Sequence, residues 1–591
     1  MNMNISKPNL PAILSLTVLA TLLLWTGAVS GPAVEDAPPA QLSADQVFTG
    51  FVDRYLDGLF HFAPARATEA GLHAYDAELP AYSRREVAAE IARAKRALAE
   101  LAGIPKESLA HENRLDALLL ENSIRAHLLD LENIRMWERD PDFYNGVISR
   151  ALFLLVQRDF APLDERLRSL IARERRVPEI FRSARANLAN PPAIYTKIAT
   201  LQVASEIRFL RDDLPRAITG ARDAALKAEF AQVNQRAIEE YGKFLEYLKT
   251  DLASRSKGSF ALGAENYRKK LLYEEMVDLP LDRLLEIGEK ALRQTQDCFK
   301  ATAALIDSEK PPAAVIAQLS QDHPDAERLL AETQAGLEDL RNFVTSHRIV
   351  TIPSAENPRV VETPAFMRAL TFASMDSPGA FEETSTEAFY NVTLPERDWS
   401  DTQREQHLRA FGRNGIRVTS IHEVFPGHYT QFLWVKRAPT KVRKLLGADT
   451  NAEGWAHYAE QMMLEEGYGE GDPKLLLSQL HEALLRLCRY IVGLRMHTRG
   501  MTLEEGIAFF EREGWQERAN AEREAMRGTS DPTYLVYTLG KLQLLKLRED
   551  YQKKVGDRFN LREFHDRFLS FGYPPIKLIR EEMLGDDSPT L

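Results

Sequence analysis

The sequence predicts a mainly helical protein, and three observations carry that prediction. Stretches 42–62, 83–101, 107–131, 160–187, 192–210 and 221–253 place apolar residues three and four apart with charges between them, the spacing of an amphipathic helix. No fixed-period repeat of the kind that marks a solenoid is present. Strand-like composition is confined to 348–395, where Val350-Thr351-Ile352-Pro353 and Phe389-Tyr390-Asn391-Val392-Thr393 lie among prolines.

The 591 residues are 44% apolar and 27% charged, ample for a sizeable core. A net charge of -11 with no long basic block argues against a nucleic-acid partner. Cys298 and Cys488 match no metal or redox spacing, so the fold does not depend on disulfides. Lys7 precedes an uncharged apolar run, 10–29, ending at Ala28-Val29-Ser30-Gly31. That is the form of a secretory signal over 1–30, with an uncleaved anchor as the alternative. No cysteine lies near it for a lipoprotein anchor. A Pro/Ala/Asp linker, 31–40, is expected to lead into a single helical catalytic unit, 41–591. Its helical half is 41–350 and its catalytic half 351–591. The expected destination is the periplasm.

The chemistry-bearing segment is Ile421-His422-Glu423-Val424-Phe425-Pro426-Gly427-His428, followed by Glu453-Gly454-Trp455-Ala456-His457. Two imidazoles, a carboxylate beside the first and another 25 residues after the second are the parts of a zinc hydrolase. The usual motif spaces its two His four apart on one helix face. Here the second His is six positions on, about 240° around an ideal helix. Pro426-Gly427 offers a remedy, because a kink or bulge there would bring the rings together. The alternative is a helix that ends at Phe425, a second starting at Pro426, and two ordinary surface histidines. Thr450 to Glu453 reads as a helix start, so Glu453 is either a ligand or the return carboxylate of a capping box. Glu460, two turns on, is a rival third ligand. His457 shares the Glu453 face and would orient a ligand from behind or bind substrate.

These motifs resemble a bacterial family known as domain of unknown function 885. That family is regarded as a distant relative of gluzincin peptidases such as thimet oligopeptidase, angiotensin-converting enzyme and the Taq-type carboxypeptidases. Pro64 to Thr68, Gly71-x-His73-x-Tyr75-Asp76, Trp137 to Pro141, Glu362-Thr363-Pro364, Arg489, His497 and Tyr537-Thr538-Leu539-Gly540-Lys541 extend the resemblance along the mature chain. Gly493 and Arg495 depart from it, standing where the family usually has Asp and Gly.

The resemblance implies one zinc ion held by His422, His428 and Glu453, with Glu423 as general base. It also implies a bilobed helical body with a deep cleft and a small sheet flanking a kinked metal-binding helix. An edge strand near Tyr390-Asn391 would hold an extended substrate. For a hydrolysis of this kind, Tyr537 and then His497 are the candidates to stabilise the oxyanion. Arg489 and Arg495 are candidates for a substrate carboxylate. The expected activity is extracytoplasmic hydrolysis of short peptides. Hydrolysis of another amide or ester, and non-catalytic binding, are the alternatives.

Overall fold

Local chemistry sets the helix ends. The computed structural model describes residues 42–591 apart from 365–366, 369–370 and 397–398. The expected leader and linker lie outside the described residues. Helix Ala44–Phe62 comes first, and Arg84–Ala102 opens on a capping box between Ser83 and Glu86. The 160–187 stretch is two helices, Leu163–Glu174 and Val177–Asn187, because Pro178 fits only a first turn. Helix Pro141–Gln157, not anticipated, starts at an Asp140 cap, and its run Ala151 to Leu155 is buried. A helix enclosed on every side carries no stripe for periodicity to find. Among the described residues no helix is long and apolar enough to cross a membrane.

Residues Ala44–Leu591 form one compact unit. The N-terminal helices share a core containing Ile148, Leu170, Phe181, Val203 and Phe244, with Phe181 stacked on Phe244 at 4.2 Å. Leu281–Ile306 packs along Pro473–Thr498 around a second core that includes Leu284 and Tyr490. A third, around Val418, Ile421, Phe425, Trp455 and Phe568, lies beneath the histidine motif. The multi-helix body with a small sheet is the architecture expected from the sequence.

The sheet has strands β1 (Arg359–Glu362), β2 (Ala373–Asp376) and β3 (Phe389–Val392) in the order β1-β3-β2. β3 pairs parallel with β1 and antiparallel with β2, placing Met375 opposite Tyr390 and Ser374 opposite Asn391. This corrects the edge expected near Tyr390-Asn391: β3 is the middle strand and has no free side. β2 is an edge. The Thr393 N–H donates to the Phe372 carbonyl at 2.8 Å, and antiparallel pairs alternate. The N–H and C=O of Ala373 and Met375 therefore point away from β3.

Two contacts hold the parts in place. Helices Asp449–Glu465 and Val536–Val555 cross at Gly454 and Gly540. A Cβ on Gly540 would stand 1.9 Å from the Thr450 carbonyl oxygen, and one on Gly454 would stand 2.6 Å from Gly540. Only glycine allows that approach. Elsewhere, His73 stacks on Phe160 at 3.8 Å and bridges Asp76 (2.9 Å) to Glu382 (3.0 Å) on the β2–β3 connection. Burial opposes the His73 charge, but the Asp76 and Glu382 hydrogen bonds outweigh it and its pKa is raised. Burial likewise opposes the Glu382 charge; the His73 and backbone hydrogen bonds reverse that and its pKa is lowered.

Gly540→Ala should cost about 1–3 kcal/mol in thermal or chemical denaturation, and unchanged stability would remove the crossing as a constraint. The His73 pair should stabilise most between about pH 4.3 and 6.5, the ordinary Glu and His values. Above that window folded His73 eventually loses its proton, and below it Glu382 gains one. The difference in melting temperature between wild type and His73→Gln should therefore peak near pH 5.5 and shrink toward pH 9. A pH-independent difference would contradict the charge assignment.

Candidate metal centre

The motif helix, Arg413–Glu423, stops immediately after the His-Glu pair. The Val424 and Phe425 N–H groups both donate to the Ser420 carbonyl (2.9 and 3.3 Å), and Gly427 N–H returns to Ile421 O at 3.0 Å. A second helix, His428–Val435, starts at once. The interruption is therefore sharper than the expected kink: a four-residue loop joins two helices. It nevertheless leaves both histidines buried, against the alternative of surface residues. Gly427 is what permits this, since a Cβ there would lie 1.7 Å from the His422 carbonyl oxygen. The Trp455 indole N–H donates to the Pro426 carbonyl at 2.9 Å and fastens the loop to helix Asp449–Glu465.

That helix presents Glu453. Its first turn is capped from outside by Glu275, which accepts from the Thr450 N–H (2.9 Å) and hydroxyl (2.6 Å). No capping box forms, so the Glu453 carboxylate is not drawn back to the helix start. Instead Glu453 Oε2 lies 3.4 Å from His422 Nε2 and 3.3 Å from His428 Nε2. The two rings stand edge to face at 4.8 Å. One ligand atom from each of the three residues falls within 4.8 Å of the others. Glu453 Oε2 and His428 Nδ1 are buried without a hydrogen-bond partner. Burial opposes the Glu453 charge, but the nearby imidazoles, His428 foremost, hold the carboxyl well below its usual range.

Glu460, the rival ligand, lies behind His422 rather than beside it. Its carboxylate contacts His422 Nδ1 at 2.8 Å, His457 Nδ1 at 3.1 Å and Arg486 Nη2 at 3.0 Å. A hydrogen bond from Nδ1–H to Glu460 fixes the ring so that Nε2, the nitrogen that would ligate a metal, is aimed at Glu453. His457 is fully buried, and burial drives its pKa down to about 3. It belongs to this rear network and is not among the residues lining the cavity at the three side chains.

The three convergent side chains open on a cavity of about 1170 Å³, whose wall also carries Glu423, Tyr537 and β2. Among the described residues the Glu423 carboxylate takes no hydrogen bond or ion pair. The Tyr537 ring lies parallel to His422 at 6.4 Å and close to three arginines, and its hydroxyl accepts from Arg527 at 3.1 Å. Burial raises its pKa to about 12, keeping the O–H intact at neutral pH.

Other expected site residues go elsewhere. His497 accepts from Leu262 N–H at Nδ1 (3.3 Å) and faces Gly528 O through Nε2 (2.8 Å), away from the cavity. Both nitrogens are used, so it is a core histidine. Arg489 does line the cavity, but Glu524 takes its fork at 2.6 and 2.8 Å. Arg495 pairs with Glu289. Tyr390 and Asn391 are buried, contacting Ser420 and Ser374. Sequence reasoning missed Arg523 and β2. Arg523 sits among charges at ordinary helical spacing, and Ala373 to Asp376 is too short and too polar to read as a strand.

Solved structures share this fold, two of them of candidate lipoproteins. One is a candidate lipoprotein of unknown function from Shewanella oneidensis, 28% identical, with a TM-score of 0.76 over 91% of this chain and 99% of the other. The other is a candidate lipoprotein from Colwellia psychrerythraea, 17% identical, with a TM-score of 0.79 over 92% and 99%. No curated protein is significantly similar to the chain. With residues 64–583 matching its profile, the chain belongs to DUF885, a family of bacterial proteins of unknown function.

Proposed function

We propose that this protein is an extracytoplasmic zinc-dependent hydrolase of short peptides. The observation that carries the reading is the convergence of His422, His428 and Glu453 beside the unpartnered carboxylate of Glu423. The donor set fits zinc: two neutral imidazoles and a carboxylate leave a position open for chemistry. Their 3.3–3.4 Å separations from Glu453 Oε2 match the ~3.3 Å edge of a tetrahedron with 2.0–2.1 Å bonds. Glu453 Oε2, buried without a hydrogen bond and facing both Nε2 atoms, points the same way. When bound, zinc would supply Lewis acidity to a water and a substrate carbonyl.

The chain's own groups do the rest. Glu423 accepts the proton of the attacking water as its oxygen bonds to the carbonyl carbon. It then delivers that proton to the amide nitrogen as the C–N bond breaks. The Tyr537 O–H donates to the oxygen that gains negative charge. Glu460, held by Arg486, fixes the tautomer and aim of His422 as a positioning residue. The outward backbone groups of Ala373 and Met375 favour a peptide over other amides, because an extended main chain can pair with them. The solved relatives, as candidate lipoproteins, support a location outside the cytoplasm, in keeping with the apolar run 10–29.

Metal analysis of the mature protein should find about one zinc per chain. His428→Ala should lose it. Glu423→Gln should keep it while peptide hydrolysis falls by about 10²–10⁴-fold. A wild type that stays free of zinc when zinc is supplied would refute the reading. Glu460→Gln should leave the fold intact and weaken zinc binding by about 10–100-fold, measured by chelator competition; unchanged affinity would reduce Glu460 to a packing role.

A further inference from the structure

Among the described residues five arginines stand on the cavity wall, and four are occupied. Arg409 meets Glu405 at 3.2 Å, and Arg486 meets Glu460 and Glu482 at 3.0 and 2.9 Å. Arg489 holds both oxygens of Glu524, and Arg527 contacts Asp531 at 2.9 Å and the Tyr537 hydroxyl. Arg523 differs. Among the described residues its guanidinium takes no hydrogen bond or ion pair, and it lies over the Phe372 ring with Cζ 4.0 Å from the centroid. Its sequence neighbour Glu524 attracts it through space but gives it no hydrogen bond, since Arg489 engages both carboxylate oxygens. A half-buried guanidinium with no direct hydrogen-bonded carboxylate is costly unless something else supplies one.

Its position says what that is. Phe372 immediately precedes β2, so Arg523 stands at one end of the strand whose Ala373 and Met375 backbone groups face outward. We propose that Arg523 binds the C-terminal carboxylate of an extended peptide whose main chain pairs with the β2 edge, making the protein a hydrolase that cuts at a set distance from free C-termini. This rests on the peptide-hydrolase reading above. A carboxylate matches the planar guanidinium fork with two parallel hydrogen bonds. Phe372 fixes the plane of that fork, and the strand edge offers donors and acceptors on alternate residues. Hydrolysis consumes one water across the C–N bond. The released piece keeps the anchored carboxylate, and the new carboxylate forms on the other piece.

Calorimetry on zinc-loaded Glu423→Gln tests this without turnover. The probes are a mixed hexapeptide library lacking Asp and Glu, made as free acids and as C-terminal amides. Free acids should bind about 10–100-fold more tightly. Adding Arg523→Gln should bring them to the level of the amides. Arg523→Lys should keep part of the preference, and Arg409→Gln, whose guanidinium is already paired, should keep all of it. In the active wild type, lengthening a peptide at its N-terminus should leave the cut at the same distance from its C-terminus. Equal affinity for acids and amides, a preference that survives Arg523→Gln, or amides ending in Glu that bind as tightly as acids would overturn the assignment. If peptides are cut but the free carboxylate is ignored, only this inference fails. If neither series is bound or cut, the peptide-hydrolase reading fails with it.

Discussion

Backbone pressed against backbone is the constraint on which the site depends. Gly427 rests on the last turn of the motif helix, and Gly454 and Gly540 rest on each other across two helices. Each is a short step from a side chain of the proposed site: His428 follows Gly427, Glu453 precedes Gly454, and Tyr537 lies three before Gly540. The donors are therefore aimed by the main chain, which is stiffer than any side-chain contact. This is also why a six-position spacing of the histidines, unworkable on a continuous helix, presents no obstacle here. The loop Val424 to Gly427 resets the helix axis, and Trp455 pins the loop to the element that carries Glu453.

Electrostatics divides the interior into two populations. Most buried charges are matched: Glu460 with Arg486 and two imidazoles, Glu524 with Arg489, Asp116 with Arg443. Removing one partner from such a set leaves an uncompensated charge, so these networks fix rotamers and resist change. A second set at the cavity has no hydrogen-bond partner among the described residues: His428 Nδ1, Glu453 Oε2, the Glu423 carboxylate and the Arg523 guanidinium. Unmatched polar groups gathered on one cavity wall have the character of a binding site, although the buried carboxylates of Glu174 and Glu206, on N-terminal helices, also lack hydrogen-bond partners. The contrast between His422 and His497 makes the point, since both are buried but every nitrogen of His497 is spent on backbone.

Much of the fold was legible because helices that face solvent on one side keep a periodic stripe. Arg84–Ala102 announces itself through Ser83 and Glu86, whereas Pro141–Gln157 is enclosed and shows no period. Pro178 carried the break between two helices, but periodicity on either side concealed it. In the site, the residue types at 422, 423, 428 and 453 pointed to a metal, and only coordinates could show the loop bringing them together. Distant pairing was the blind spot. Nothing in the local sequence tells that Arg489 meets Glu524, that Tyr390 lies in a middle strand, or that Arg523 has no hydrogen bond or ion pair among the described residues.

The most direct test of the account is a crystal of the mature protein soaked in zinc, with anomalous diffraction recorded on both sides of the zinc edge. The account predicts one strong peak bonded to nitrogens of His422 and His428 and to a Glu453 oxygen, with Glu460 still behind His422. A fully occupied peak elsewhere, or none with the three side chains unmoved, would contradict it.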